Sequence, residues 1–447
     1  VFHLSRREFL AASAVAAGSG LASGCAIPAS GPDNRSVLIV GAGMAGLAAA
    51  RSLSDTGRQV RIVEARNRIG GRVHTSRDWG TPLELGASWI HGTTNNPLLE
   101  LAGKVHAHIE PTNYDNPAEL AIDPQLQPMT YHSQTWRDLV SDAREEASGG
   151  SLGAAVAARS NREELSDRER AALAYYVNTE IEDEYAADAD QLSATTFDQG
   201  SYTGGPQSVV TTGYDALPRL LADGIRIDFN TIVNSIVQQD NSVVVTAGDQ
   251  TFEGPAAIVT VPLGVLKSGA ITFDPPLPER HAHAVRALGF GVLAKSYFRF
   301  RQRNWDRENA FFQYLGAKEN RWAQWFTLPA SAGPIVLAFN PGRNGRYLES
   351  APPHDLLADA APIARRLFGA EPVEVRSSRW TVDPYALGSY SYHAPGSGPD
   401  DRRRLQEPIG DRLYLAGEAV GADNPATVHG ALLSGRHAAA ELLRRLG

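Results

Sequence analysis

Cysteine is nearly absent from this chain. Of 447 residues one is cysteine, Cys25, and it lies in the first thirty. The body after it can form no disulfide of its own and offers no thiolate to a metal, so no metal site is expected. Beyond the N-terminal stretch there is no apolar run long enough to span a bilayer, no internal repeat and no low-complexity tract. An excess of positive charge is missing too. The formal net charge is −8, and the first thirty residues contribute one net positive charge, so the rest is slightly more acidic still. Such a surface is a poor partner for nucleic acid and a mild attractor of cations. Hydrophobic and charged fractions of 43% and 21% are those of a soluble globular protein. The length exceeds one ordinary core, which predicts two domains.

The first thirty residues read as a leader. Ser5-Arg6-Arg7-Glu8-Phe9-Leu10 precedes an Ala/Gly/Ser-rich, weakly apolar stretch to about residue 24, the pattern of a twin-arginine export signal. That route carries folded proteins. The localisation expected is therefore periplasmic or cell-envelope. Cys25 follows Leu21-Ala22-Ser23-Gly24, where a lipoprotein signal would put an acylated cysteine; Ala22 stands where a larger aliphatic residue is usual, and lipid anchorage at Cys25 stays open.

What is abundant is glycine, at both ends. Val37 to Val40 feed straight into Gly41-Ala42-Gly43-Met44-Ala45-Gly46. A buried strand ending in Gly-x-Gly-x-x-Gly turns tightly, admits a pyrophosphate and packs the next helix close, and that helix's N-terminus offers free N–H groups to the phosphate. A second strand, QVRIVE, ends in Glu64, where a carboxylate can bond ribose hydroxyls. These features predict dinucleotide binding. The run Ala65-Arg66-Asn67-Arg68-Ile69-Gly70-Gly71-Arg72 adds guanidinium groups and two glycines, a second anion cradle that favours FAD over NAD. Strand and helix patterns alternate, giving an α/β reading, with helical periodicity clearest at 161–177, 354–368 and 430–446.

Further along come ELGASWIHG (84–92), VPLGVLKSGAITFDPPLP with LGFGVLAKSYFRF, RWTVDPYALGSYSY, and LYLAGEAVGADNPATVHGALLSGRHAA. With the first glycine turn they stand in the order of the flavin amine oxidase superfamily. The chain resembles that family, which includes monoamine oxidases, polyamine oxidases and lysine-specific histone demethylases, across residues 36–447; with the leader, the resemblance implies an exported bacterial member. It implies a Rossmann-type FAD-binding domain (36–100, 205–285, 395–447) interleaved with a substrate domain of mixed sheet and helices (101–204, 286–394). It also implies cofactor contacts from Gly41, Gly43, Ala45, Gly46, Glu64, Arg66, Gly71, Arg72, Gly86, Ala87, Ser88, Trp89, Val233, Gly417, Glu418, Thr427 and Val428. Val233 matches a valine set against the adenine, and Glu418 a glutamate near the pyrophosphate or ribityl chain. The helix from about His429 turns its positive end to the flavin pyrimidine.

Three residues are expected to act in catalysis by the same resemblance. Lys295 matches a lysine that bonds a water above flavin N5 and assists reaction with oxygen; by itself, a lysine among apolar neighbours reads as a snorkelling edge residue. Tyr390 matches one wall of an aromatic cage. The opposite wall falls on Thr427 instead of tyrosine, which leaves room for a chain-like or secondary amine. His91 matches a substrate-side histidine of animal-type polyamine oxidases; its plainer reading is a satisfied core histidine. Glu180, Glu182, Asp183 and Glu184 form an acidic helical segment with 180 and 184 on one face. Most read as solvated, and Glu182 is the carboxylate assigned to a distal substrate ammonium. Ser389 stands where monoamine oxidases carry a flavin-linked cysteine, so cysteinyl attachment is excluded and FAD is expected to be non-covalent.

The reaction implied is oxidation of a primary or secondary amine, polyamine-like, to imine and aldehyde, with oxygen reduced to hydrogen peroxide. An L-amino-acid oxidase would need a cation for the substrate carboxylate, and the arginine found after the matching motif in such enzymes is missing after LGASWIHG. Carotenoid desaturases and protoporphyrinogen oxidases share the nucleotide end but not the Lys295 and TVHGA motifs. A non-catalytic flavin-binding scaffold is the alternative of another class.

Overall fold

Val37–Val40 is apolar throughout and becomes a strand buried at every position, as a strand covered on both faces must be. In this computed structural model, which describes residues 35–112, 117–317 and 320–446, that strand is the centre of a five-stranded parallel sheet. The order is 413–415, 257–259, 37–40, 60–63, 226–228. Arg6, Arg7 and Cys25 lie outside the described residues.

The helix Met44–Ser54 follows the glycine turn and is buried almost all round, because it is wedged between the sheet and the C-terminal helix Val428–Leu446. Two glycines permit this. A Cβ on Gly46 would lie 2.0 Å from the Gly41 carbonyl oxygen, and one on Gly435 would lie 2.1 Å from the Ala45 carbonyl oxygen. Any side chain at either place would push the helix off its neighbour.

A six-stranded sheet, order 374–377, 293–299, 335–341, 324–327, 311–315, 119–122, forms the other half; it is antiparallel apart from its last pair. One face carries Phe298, Trp322 and Trp325 against the helix Pro353–Phe368. The other packs Tyr297, Phe311, Phe326 and Phe339 around Trp89. All five parallel strands come from 36–100, 205–285 and 395–447, and all six mixed ones from 101–204 and 286–394. Among the described residues no helix is long and apolar enough to cross a membrane.

Two local expectations are corrected. The single helix at 161–177 is two helices, Leu152–Arg162 and Asp167–Tyr176. Glu164 adopts positive φ between them, and Ser166 with Glu169 closes a capping box that starts the second helix. The acidic segment is not a uniform α-helix either: Val177–Glu182 is a π-helix, followed by one α turn, Asp183–Tyr185, ending at Ala186 in the left-handed region. Only Glu180 and Glu184 are solvent-exposed there.

Candidate active site

At the nucleotide end Glu64 is fixed from both sides. One carboxylate oxygen accepts the Ala42 N–H at 2.7 Å and the other the Arg66 N–H at 2.8 Å. An ionised carboxylate has about four lone-pair sites, so ribose hydroxyls can still donate to it. The helix after the turn starts at Gly43 without a side-chain cap. A Cβ on Gly43 or on Gly417 would meet nothing within 4 Å, so the two glycine turns leave room beside their backbones, as a diphosphate requires. Val233 is buried two residues beyond Thr231, whose N–H bonds the Glu64 carbonyl at 2.9 Å. The residues present fit FAD.

The basic loop is committed differently from a bare phosphate cradle. Arg66 makes a two-pronged bond to Asp383, both contacts 2.8 Å. Arg72 donates to the Ser389 carbonyl at 2.8 Å and to Glu418 at 2.9 Å. Glu418 also accepts from the Ser391 N–H (3.2 Å) and hydroxyl (2.6 Å). Behind Ser391 sits Arg402, 2% exposed, which donates to the Ser391 hydroxyl at 2.7 Å and to His393 Nε2 at 2.8 Å. His393 must then carry its proton on Nδ1, facing the Thr196 carbonyl at 2.7 Å. Burial and then Arg402 lower its pKa to about 4, keeping it neutral. Burial alone would raise Glu418, but Arg72, Arg402 and Ser391 outweigh that and hold it below the usual carboxylate range.

Lys295 is buried on the strand Leu293–Arg299, not at a sheet edge. Its ammonium donates to the Gly86 carbonyl and, at 2.6 Å, to the Ser88 hydroxyl. It lies 5.4 Å from the Trp89 ring centroid, within cation–π range. The motif ELGASWIHG therefore forms the seat of this lysine. Burial lowers Lys295 to about 7, with Glu84 acting the other way. Glu84 is itself raised to about 7 by burial, although the Tyr214 N–H (2.9 Å) and Thr75 hydroxyl (2.7 Å) donate to it.

Tyr390 is brought to the same region through the backbone. The Gly291 N–H donates to the Tyr390 carbonyl, and the Ser389 N–H to the Gly291 carbonyl. The Ser389 hydroxyl accepts from the Leu293 N–H at 3.0 Å, two residues before Lys295. The Tyr390 phenol donates to the Asp183 carbonyl at 2.9 Å.

The remaining expected residues carry bonds of their own. His91 Nδ1 bonds Gln207 at 3.0 Å. It neighbours His429, whose Nε2 is buried without a bond among the described residues and which burial and His91 hold down at about 4. The Thr427 hydroxyl accepts from the Gly430 N–H at 3.0 Å and donates to the Asn424 carbonyl at 2.7 Å, capping the last helix beside Val428. Ala45 is buried in the first turn of the helix Met44–Ser54, Gly71 lies at positive φ in the basic loop, and the Ala87 N–H bonds the Arg72 carbonyl at 3.1 Å. Glu182 accepts from the Ala189 N–H (2.8 Å) and Asn178 amide (3.1 Å), tying off the helix end.

Sequence reasoning missed Arg402, His393 and Glu84 as site residues. Arg402 sits in Asp400-Asp401-Arg402-Arg403-Arg404, which reads as a solvated helical surface. Glu84 opens the motif ELGASWIHG, and its position there is the one signal the sequence offers for it.

The first glycine turn, the doubly bonded Glu64 carboxylate and the second glycine turn fit the class of dinucleotide-binding flavoproteins. The chain belongs to the flavin containing amine oxidoreductase family, whose model matches residues 44–443. It is 33% identical over 439 residues to Polyamine oxidase 2 of Arabidopsis thaliana, covering 92% of this chain and 88% of that protein. It is 34% identical to Lysine-specific histone demethylase 1 homolog 1 of Oryza sativa subsp. japonica, over 92% of this chain and 52% of that longer protein. A solved putrescine oxidase, redesigned in its cofactor binding, shares the fold with a TM-score of 0.74, covering 92% of this chain and 99% of that one at 19% identity. The protein is a flavin-dependent oxidoreductase acting on CH–NH donors.

Proposed function

We propose that this protein oxidises a polyamine-like primary or secondary amine at the carbon beside nitrogen, with oxygen reduced to hydrogen peroxide and the imine hydrolysed to aldehyde. The observation that carries the reading is the buried ammonium of Lys295, seated on Gly86 and Ser88 and joined through Leu293 and Ser389 to the Tyr390 segment. FAD, held by Glu64, the two glycine turns and the helix from Val428, would supply the two-electron acceptor. The chain's own residues orient the amine and keep it neutral. An ammonium of pKa ~10.4 costs about 4 kcal/mol to deprotonate near neutral pH, and buried aromatic surroundings offset part of that by disfavouring the charged form. The test is a peroxide-coupled assay of purified protein with putrescine, spermidine, spermine, tyramine and amino acids. Peroxide from none of the amines overturns the reading, and peroxide from amino acids alone replaces it.

FAD is held without a covalent bond, since Ser389 occupies the matching position and no cysteine follows Cys25. Acid precipitation should leave yellow FAD, adenine intact, in the supernatant. Flavin that stays with the precipitate contradicts this and points to a histidine linkage.

The Arg6-Arg7 pair directs export of the folded, FAD-loaded protein. Replacing both with lysine should strand active enzyme in the cytoplasm of a twin-arginine-competent host. Export at the original level would show a different route.

A further inference from the structure

Glu349 is a completely buried acid outside the site formed by Lys295, Tyr390 and the two glycine turns. It comes from the helix Gly342–Ser350, whose buried residues are Gly342, Gly345, Leu348 and Glu349. Gly345 lets that helix lie close on the lysine strand. A Cβ there would stand 2.5 Å from the Asn340 carbonyl oxygen and 3.3 Å from the Ala294 nitrogen. Burying a carboxylate is costly unless donors replace the lost water. Three donors do so. One oxygen accepts the Ser378 hydroxyl at 2.6 Å, and the other accepts the Thr381 N–H at 2.7 Å and the Thr381 hydroxyl at 2.6 Å.

The two residues it holds lead to the two ends of one contact. Ser378 stands behind Lys295. The ladder between Leu293–Arg299 and Glu374–Ser377 ends at the pair Ser296–Ser377, and one residue further the pattern changes. The Ser378 N–H donates to the Lys295 carbonyl at 2.8 Å, and the Ser378 hydroxyl accepts the Lys295 N–H at 3.0 Å. A backbone N–H can only donate, so the single hydroxyl proton of Ser378 goes to Glu349. Thr381 adjoins Trp380, whose indole reaches the seat of the ammonium. Trp380 Nε1 donates to the Leu85 carbonyl at 2.8 Å. A Cβ on Gly86 would lie 3.2 Å from Trp380 Cζ2, so the ring packs on the glycine whose carbonyl takes the Lys295 ammonium. One acid thus ties down both the strand that carries the lysine and the backbone that receives it.

We propose that Glu349 is a positioning residue for Lys295 and controls the reaction with oxygen without touching substrate or cofactor. The assignment rests on the oxidase reading of Lys295 given above. No bond of the reaction is made or broken at Glu349. Its effect is geometric, and a misplacement of about 1 Å at a reacting site can cost about a hundredfold in rate.

The test compares the two half-reactions of the holoenzyme. The flavin is reduced anaerobically by amine, or photochemically with EDTA, and then mixed with oxygenated buffer. Glu349→Gln keeps the shape but turns an amide N–H2 towards groups that donate to the carboxylate. It should slow reoxidation about tenfold and leave reduction by amine within about twofold. The rise in reoxidation rate towards low pH should shrink as well, because a displaced ammonium stabilises the developing charge less. In a Lys295→Met background the same substitution should change reoxidation by less than about twofold, since the group it positions is gone. Ser378→Ala cuts only the link to the lysine strand; it should reproduce the slow reoxidation, and it serves if Glu349→Gln fails to fold. Equal slowing of both half-reactions, or an undiminished loss in the Lys295→Met background, would make Glu349 structural and overturn the assignment while leaving amine oxidation intact. If no amine reduces the flavin, the amine-oxidation reading falls, and the photoreduced enzyme still decides the role of Glu349. If Lys295→Met reoxidises at the original rate, the oxidase reading of the lysine falls, and this assignment with it.

Discussion

Lys295→Met should leave flavin reduction by amine within about threefold of the original rate and slow reoxidation by oxygen about a hundredfold. Methionine keeps the length and much of the apolar stem, so the packing penalty is small. The Gly86 carbonyl and Ser88 hydroxyl lose a donor, but the cost of burying the ammonium disappears with them. Oxygen gains negative charge as it takes its first electron, and a preorganised cation in a dry site stabilises that charge. Losing one such contact typically costs about 3 kcal/mol, the hundredfold expected. Since burial lowers Lys295 to about 7, the original enzyme should reoxidise fastest below that pH and more slowly above it, as the ammonium loses its proton. The variant's profile should lack this step. Glu84→Gln removes a nearby carboxylate that favours the charged lysine, so the step should move to lower pH. Anaerobic reduction followed by mixing with oxygenated buffer measures the half-reactions separately. Reoxidation of Lys295→Met at the original rate would make Lys295 a structural lysine.

Glu418→Gln should produce the largest loss of stability, about 3–5 kcal/mol, the usual cost of removing one partner from a buried ionic cluster. Glutamine preserves shape and can keep a bond to Ser391, but Arg72 loses its carboxylate partner and the buried Arg402 loses the nearby negative charge that it shares through Ser391. If the unpaired guanidinium is the cause, Glu418→Gln combined with Arg402→Met should be less damaging than the two single losses added together. The sign with pH follows from the lowered Glu418 pKa. Its contribution is present above the ordinary carboxylate pKa of about 4.3 and is lost as pH falls through the lower folded value. The variant should lack that part of the acid dependence. Urea unfolding at fixed FAD concentration and a series of pH values checks both points. A shift below about 1 kcal/mol would mean that water or another group compensates the arginines.

The sequence by itself determined the nucleotide half, because its signals are local. Val37–Val40, the glycine turn and Glu64 fall within 28 residues; each is specified by backbone needs that a short stretch displays. The helices at 354–368 and 430–446 were legible for the same reason. The break at 163–166 was also written locally, as Ser166-x-x-Glu169, but the apolar period outweighed it. Only the tertiary structure decided what the charged residues do. Lys295 and Gly86 are 209 residues apart, and Arg72 and Glu418 are 346 apart. Arg402 reads as surface until the fold closes His393 and Ser391 around it. Glu182 and Asp183 are adjacent carboxylates, and no sequence pattern separates them. The π turn and the Ala189 N–H satisfy one and leave the other bare, because a carboxylate's role is set by the donors within about 3 Å of it, and those are chosen by the fold.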